Sequence, residues 1–100
     1  MIKHIVMWKL KDDVDGLTKD QTALLLKKEI ELMKEKIPQI VKIEAGINYN
    51  HGPIAYDLCL YSEFENDDDL AIYQDHPDHA VVKELVVKYA ENGVVVDYEI

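Results

Sequence analysis

Residues 2–10, IKHIVMWKL, alternate in character with a period of two. That period places successive side chains on opposite faces of a strand. Ile2, His4, Val6, Trp8 and Leu10 fall on one face, and Lys3, Ile5, Met7 and Lys9 on the other. The β-branched and aromatic content favours the same conformation. Residues 41–50, VKIEAGINYN, alternate in the same way, and the turn cluster NHGP follows them. Residues 56–64, YDLCLYSEF, are predicted as a third strand with Tyr56, Leu58, Leu60 and Phe64 on one face. Residues 94–100, VVVDYEI, are predicted as the last.

Helical signals occupy the gaps. After the polar loop KDDVDG, Thr18 or Asp20 can cap a helix whose stripe is Leu26, Ile30, Met33 and Ile37. Pro38 ends it. NDDD caps a short helix that runs through Gln74. Pro77 opens a longer one with Val82, Leu85, Val86 and Tyr89 on its inner stripe, and Asn92-Gly93 reads as its stop. The order is β-α-β-β-α-β with the second helical region in two pieces. An α+β, ferredoxin-like plan follows, with two crossover helices on one face of a four-stranded antiparallel sheet. At 100 residues this is a single domain, 1–100.

The face of the sheet away from the helices is expected to meet a partner. It is predicted to carry Ile5, Met7, Cys59, Tyr61 and Val95 among Lys3, Glu44 and Asp57, where a solvated face would be polar throughout. The simplest partner is a second copy of the chain, sheet against sheet. A domain of this size buries only roughly two-thirds of its unfolded surface, so covering a face with a second copy suits it.

Charge removes several functions. The chain has 20 acidic residues and 11 basic ones, a formal net charge of −9, and every basic residue is lysine. Nucleic acid needs a basic patch, and bidentate phosphate recognition needs guanidinium, so nucleic acid is not an expected partner. Anionic membrane surfaces are excluded on the same ground. The single cysteine, Cys59, allows no intramolecular disulfide and fits a reducing compartment. The N-terminus lacks the apolar run of a signal peptide, and no later run is long enough to span a bilayer. A cytoplasmic location is expected. No glycine-rich phosphate loop is present, so no nucleotide or flavin cofactor is expected. DDVDG lacks the spaced ligands of a calcium loop, and His76 and His79 with Asp75 do not make up a zinc set, so no metal is expected.

One stretch carries candidate chemistry. AIYQDHPDH, residues 71–79, places Tyr73, His76, Pro77 and His79 within nine positions. Pro77 suits the first position of a helix, and the residue before it, His76, suits the cap. His79 then lies in the first turn, where the helix dipole favours a neutral ring. A break at Pro77 lets Tyr73 and His79 converge on one cavity, into which His4 also faces beside Val6 and Trp8. A neutral histidine beside a tyrosine hydroxyl suits removal of a proton next to a carbonyl. The same residues also suit a purely structural joint, with His76 and His79 capping backbone groups and Tyr73 in the core.

The opening KHIV, the passage YDLCLYSEFEN, the run AIYQDHPDH and the closing VVVDYE resemble the stress-responsive dimeric α/β-barrel family, Dabb. The resemblance covers nearly the whole chain. It implies a ferredoxin-like protomer whose sheet pairs with that of a second protomer to form a barrel. One branch of the family contains plant polyketide cyclases of the olivetolic acid cyclase type. Resemblance to that branch implies His79 as a catalytic base, Tyr73 as its assistant and His4 as a pocket residue. The cyclase carries a histidine on its third strand where this chain has Leu58, which separates the two in reaction or substrate. The pocket expected on these grounds is lined by His4, Val6, Trp8, Leu58, Tyr73, His76 and His79, and takes a small apolar or aromatic molecule. Three functions remain open: a homodimeric binding protein, a cyclase- or isomerase-like enzyme, and a structural stress-related oligomer without a ligand.

Overall fold

Strand β1 (Ile2–Leu10) is hydrogen-bonded along both of its edges, which makes it the strand that positions the others. On one side lies β3 (Leu58–Phe64), antiparallel, with Ile2 opposite Phe64 and Trp8 opposite Leu58. On the other lies β4 (Ala90–Glu99), also antiparallel, with Val6 opposite Val95. β2 (Lys42–Ile47) completes the sheet beyond β3, and the order is β2-β3-β1-β4. The helices are α1 (Lys19–Lys36), α2 (Asp67–Asp75) and α3 (Pro77–Tyr89). This computed structural model describes every residue from Met1 to Ile100 and has the predicted ferredoxin-like plan.

The helix boundaries follow from side chains that satisfy otherwise orphaned backbone groups. Thr18 caps α1: its hydroxyl accepts from the Gln21 amide at 3.2 Å, and the Gln21 side chain accepts from the Thr18 amide at 2.9 Å. That reciprocal pair selects Thr18 over Asp20 as the cap. Asn66 caps α2 by accepting from the Asp69 amide at 2.8 Å, and Asp67, Asp68 and Asp69 complement the positive end of the helix. Leu26, Ile30, Met33 and Ile37 are all buried in the core that α1 forms with the sheet. At the sheet edge, Glu31 of α1 accepts from the Ala45 amide at 3.1 Å, and Lys27 donates to the Ala45 carbonyl at 2.6 Å. The exposed edge of β2 is therefore partly closed by a helix rather than left to pair with another strand.

Strand ends differ from the sequence reading. β2 stops at Ile47 instead of residue 50, and β3 starts at Leu58 instead of residue 56. β4 begins at Ala90, directly after α3, so Asn92-Gly93 lies within a strand and does not stop a helix. Gly93 is there for space. It pairs with Trp8, and a Cβ on it would come within 2.7 Å of Trp8 Cδ1.

The register corrects one predicted interface residue. Val95 lies opposite Val6, on the helix side of the sheet, whereas Val94 and Val96 lie opposite Met7 and Ile5 on the far side. Three consecutive valines carry no alternation of their own, so pairing with β1 sets their phase. Ile5, Met7, Cys59 and Tyr61 do share the face away from the helices.

Gly93→Ala is expected to destabilise the domain by about 1–3 kcal/mol, because the added methyl overpacks against the indole. Urea unfolding followed by Trp8 fluorescence measures it; an unchanged midpoint would show that the indole yields without loss.

Candidate functional site

The site is built at the joint between α2 and α3. His76 has extended backbone angles, φ −68° and ψ 139°, which end one helix and start the next. Its amide donates to the Tyr73 carbonyl at 3.2 Å, and its Nδ1 accepts from the Asp78 amide at 3.1 Å. Pro77 takes the first position of α3, where no N–H is needed. His76 therefore holds the joint, and it does not line the cavity, contrary to the sequence reading.

The chain direction changes at this joint, and Tyr73 and His79 meet. Their ring centroids are 4.6 Å apart at 62°, an edge-on contact. Tyr73 also packs against Phe64 at 4.9 Å and His4 at 6.1 Å, and only 1% of its surface is exposed. The rings of Tyr73, His79 and His4 border a cavity of about 360 Å³ between the sheet and the helices. His4, Val6 and Trp8 contribute from β1, Leu60 from β3 and Val95 from β4. Ile30 and Met33 come from α1, and Val82, Lys83 and Val86 from α3. Ten of the fourteen lining residues are hydrophobic, so the cavity favours an apolar occupant with few polar groups. Leu58 is not among them: it opens β3 opposite Trp8 and Ile47, and its side chain is buried in the core.

His4 has a partner that sequence reasoning missed. Asp97 lies directly across the β1–β4 ladder, and its carboxylate pairs with His4 Nδ1. With Nδ1 engaged, Nε2 is the ring nitrogen left for other contacts. Ser62, fully buried, donates from its hydroxyl to the His4 carbonyl at 2.9 Å and fixes the strand beneath the ring. Residues 94–100, VVVDYEI, open on three valines without a phase, so only the register with β1 places Asp97 opposite His4.

His79 is held in its neutral form. Burial lowers its pKa from the ordinary 6.5, the positive charge of Lys83 adds to this, and His4 adds less. The Gln74 backbone opposes in part. Yet Nδ1 of His79 is buried without a hydrogen bond of normal geometry. An imidazolium would need an acceptor at that nitrogen, so the missing partner acts in the same direction as burial. Burial also raises the Tyr73 phenol above its ordinary value, keeping it a protonated donor. A neutral imidazole beside a phenol can accept a proton or orient a carbonyl, at a cavity that is mostly apolar.

Elsewhere, Cys59 is a free thiol whose pKa is raised by burial and by Glu44, which disfavours the nucleophilic thiolate. No group of three or more His, Cys, Asp or Glu side chains is arranged around a common metal position.

The family model described as Stress responsive A/B Barrel Domain, Dabb, matches residues 2–100. The chain belongs to this family. A crystal structure from Bacteroides fragilis, described as a dimeric protein of unknown function and ferredoxin-like fold, is 40% identical, with a TM-score of 0.87 over 99% of this chain and 95% of that one. An uncharacterized protein of Streptomyces coelicolor is 32% identical over 99% of both chains. A stress-response A/B barrel domain-containing protein of Arabidopsis thaliana is 29% identical over 98% of this chain, which spans 36% of its length.

The depressed pKa of His79 predicts a pH dependence. The unfolded chain binds more protons than the Dabb fold between the lowered folded value and 6.5. Stability is therefore undiminished above pH 6.5 and falls as pH drops below it. In His79→Gln that component disappears. The urea midpoint of the variant should fall less than that of the wild type in the pH unit below 6.5; parallel curves would place a solvated, ordinary imidazole at this position.

Proposed function

We propose that this Dabb protein is a homodimeric small-molecule binding protein, with one largely apolar pocket per protomer for a small apolar or aromatic ligand. The observation that carries the reading is the convergence of His4, Tyr73 and His79 on a cavity of about 360 Å³ that is otherwise hydrophobic. That volume lies within the range of small-molecule sites, roughly 300–1,000 Å³. The polar groups are few and lie close together, which suits orientation of one functional group on an apolar body.

The dimer rests on the other face of the sheet. Ile5, Met7, Cys59 and Tyr61 stand there with Val94, Val96 and Tyr98, and Met7 is 40% exposed. Around them Lys3 pairs with Glu63 at 2.7 Å, and Glu63 also accepts from the Tyr61 hydroxyl at 2.5 Å. An apolar patch with internally paired charges suits a self-complementary interface. The Bacteroides fragilis relative is described as dimeric, which supports the same arrangement here. The free thiol of Cys59 supports a reducing, cytoplasmic setting. No helix is long and apolar enough to cross a membrane.

A second reading follows from His79 itself. A neutral imidazole with no partner at Nδ1, in contact with Tyr73, is suited to act as a general base of a cyclase or isomerase. In that case a bound ketone should exchange its α-protons in D2O faster than in buffer. His79→Ala should remove about 10²–10⁴-fold of that acceleration and Tyr73→Phe less. Exchange that is equally fast in His79→Ala would leave binding alone.

Two measurements test the main reading. A panel of small aromatic and polyketide-like compounds should include binders seen by thermal shift and calorimetry. His79→Ala should weaken them while the fold persists, and unchanged affinity would remove His79 from the pocket. Sedimentation should give a dimer mass, and Met7→Asp should weaken association, because an unpaired carboxylate buried at the interface costs several kcal/mol. An unaffected dimer in Met7→Asp would locate the interface elsewhere.

A further inference from the structure

Acidic residues are absent from the cavity. The chain carries 20 aspartates and glutamates against 11 lysines, yet none of the 20 is among the fourteen residues that line it. The one lining side chain with a fixed charge is Lys83. This is not a property of every hollow in the molecule. A polar hollow of about 350 Å³, formed where β1 and β2 end and α1 begins, includes Asp20, Asp57 and Glu91 among its walls. The carboxylate nearest the rings, Asp97, is engaged by His4 Nδ1 and is not a lining residue.

Polarity inside the cavity is also sorted by position. Tyr73 and Gln74 end α2, and His79 and Lys83 follow on α3. His79 and Lys83 are four residues apart, one above the other on one helix face. Of the remaining walls, His4 on β1 is the one polar side chain, and the rest of the sheet, α1 and α3 contribute apolar ones. The positive charge of Lys83 acts on the His79 ring in the direction of a lower pKa.

We propose that the ligand of this pocket is an apolar or aromatic molecule bearing a single carboxylate, seated with the carboxylate toward Lys83 and His79 and its apolar body against Val6, Trp8 and Met33. This rests on the pocket reading above and adds the chemical class of the ligand to it. A net charge of −9 repels anions from the molecule as a whole, so a cavity cleared of carboxylates is what an anionic ligand requires. A cationic ligand finds no counter-ion there. Lys83 is exposed, so its ammonium is hydrated at the edge of the cavity and can meet a carboxylate there without first being buried. Lysine presents a compact point charge without the bidentate fork of arginine, which suits one carboxylate rather than a polyphosphate.

Three matched probes decide it: 4-butylbenzoate, 4-butylbenzyl alcohol and 4-butylbenzylamine, titrated calorimetrically into the wild-type protein near neutral pH and low salt. The benzoate should bind about tenfold tighter than the alcohol, as a hydrogen bond to a charged group allows. The amine should bind most weakly. Lys83→Met should remove the benzoate's advantage, so that benzoate and alcohol bind that variant with equal affinity. If the alcohol binds as tightly as the benzoate, the carboxylate assignment falls and the pocket stands. If the benzoate keeps its advantage in Lys83→Met, Lys83 is not the recognising group and the proposal falls. If none of the three binds at millimolar concentration, the pocket reading falls, and this inference with it.

Discussion

The double pairing of β1 is the constraint on which the rest of the molecule depends. A strand hydrogen-bonded on both edges cannot slip without breaking two ladders, and a slip of one residue would exchange its two faces. As it stands, His4, Val6 and Trp8 face the helices and the cavity, whereas Ile5 and Met7 face away. Candidate site and candidate interface therefore alternate along one strand. The pairing also brings in residues from distant parts of the chain: Asp97 reaches His4 across one ladder, and Ser62 reaches it across the other. His4 is 5% exposed, and both contacts fix its environment before any ligand arrives.

The second constraint is the break at Pro77. In a continuous helix, residues 73 and 79 would project about 120° apart around the axis, given about 3.6 residues per turn. Tyr73 and His79 would then not share a cavity. A proline at the first position of α3 forbids the continuous helix, and His76 satisfies the exposed ends on both sides of the break. The two rings then meet edge to edge at 4.6 Å. Local chain chemistry thus creates the tertiary contact, and the buried Phe64 and His4 rings hold Tyr73 in it.

Features encoded locally are legible in the sequence. The limits of β1, the buried stripe of α1, the helix break and the meeting of Tyr73 and His79 all follow from short-range patterns. Features set by pairing between distant segments are not. Sequence reading puts Val95 on the wrong face because a run of valines has no phase until it is paired. Asp97 escapes it for the same reason. Asn92-Gly93 has the composition of a helix stop, but the glycine answers to the bulk of Trp8 on the neighbouring strand. His76 suits both a cap and a pocket wall by sequence; the Asp78 amide occupies its ring nitrogen, and the capping role remains. Leu58 enters the expected pocket through a resemblance in position, whereas its side chain is packed into the core cluster and does not line the cavity.

β4 links the pocket to the interface through a shortage of cover. Two crossover helices cannot shield four strands evenly, and α1 sits mainly over the β2 side. On the helix side of β4, Val95 remains 60% exposed and borders the cavity, so the cavity opens where the helical layer runs out. On the far side Val94, Val96 and Tyr98 are exposed as well. An apolar strand bare on both faces is costly for a domain this small. Its free edge is also an invitation to unwanted strand pairing, and Glu91, Asp97 and Glu99 along β4 discourage that. The charges guard the edge without covering the faces. Under the proposed reading each face has a separate occupant, a second sheet on one side and a small ligand on the other. Each would bury apolar surface that the chain cannot cover by itself.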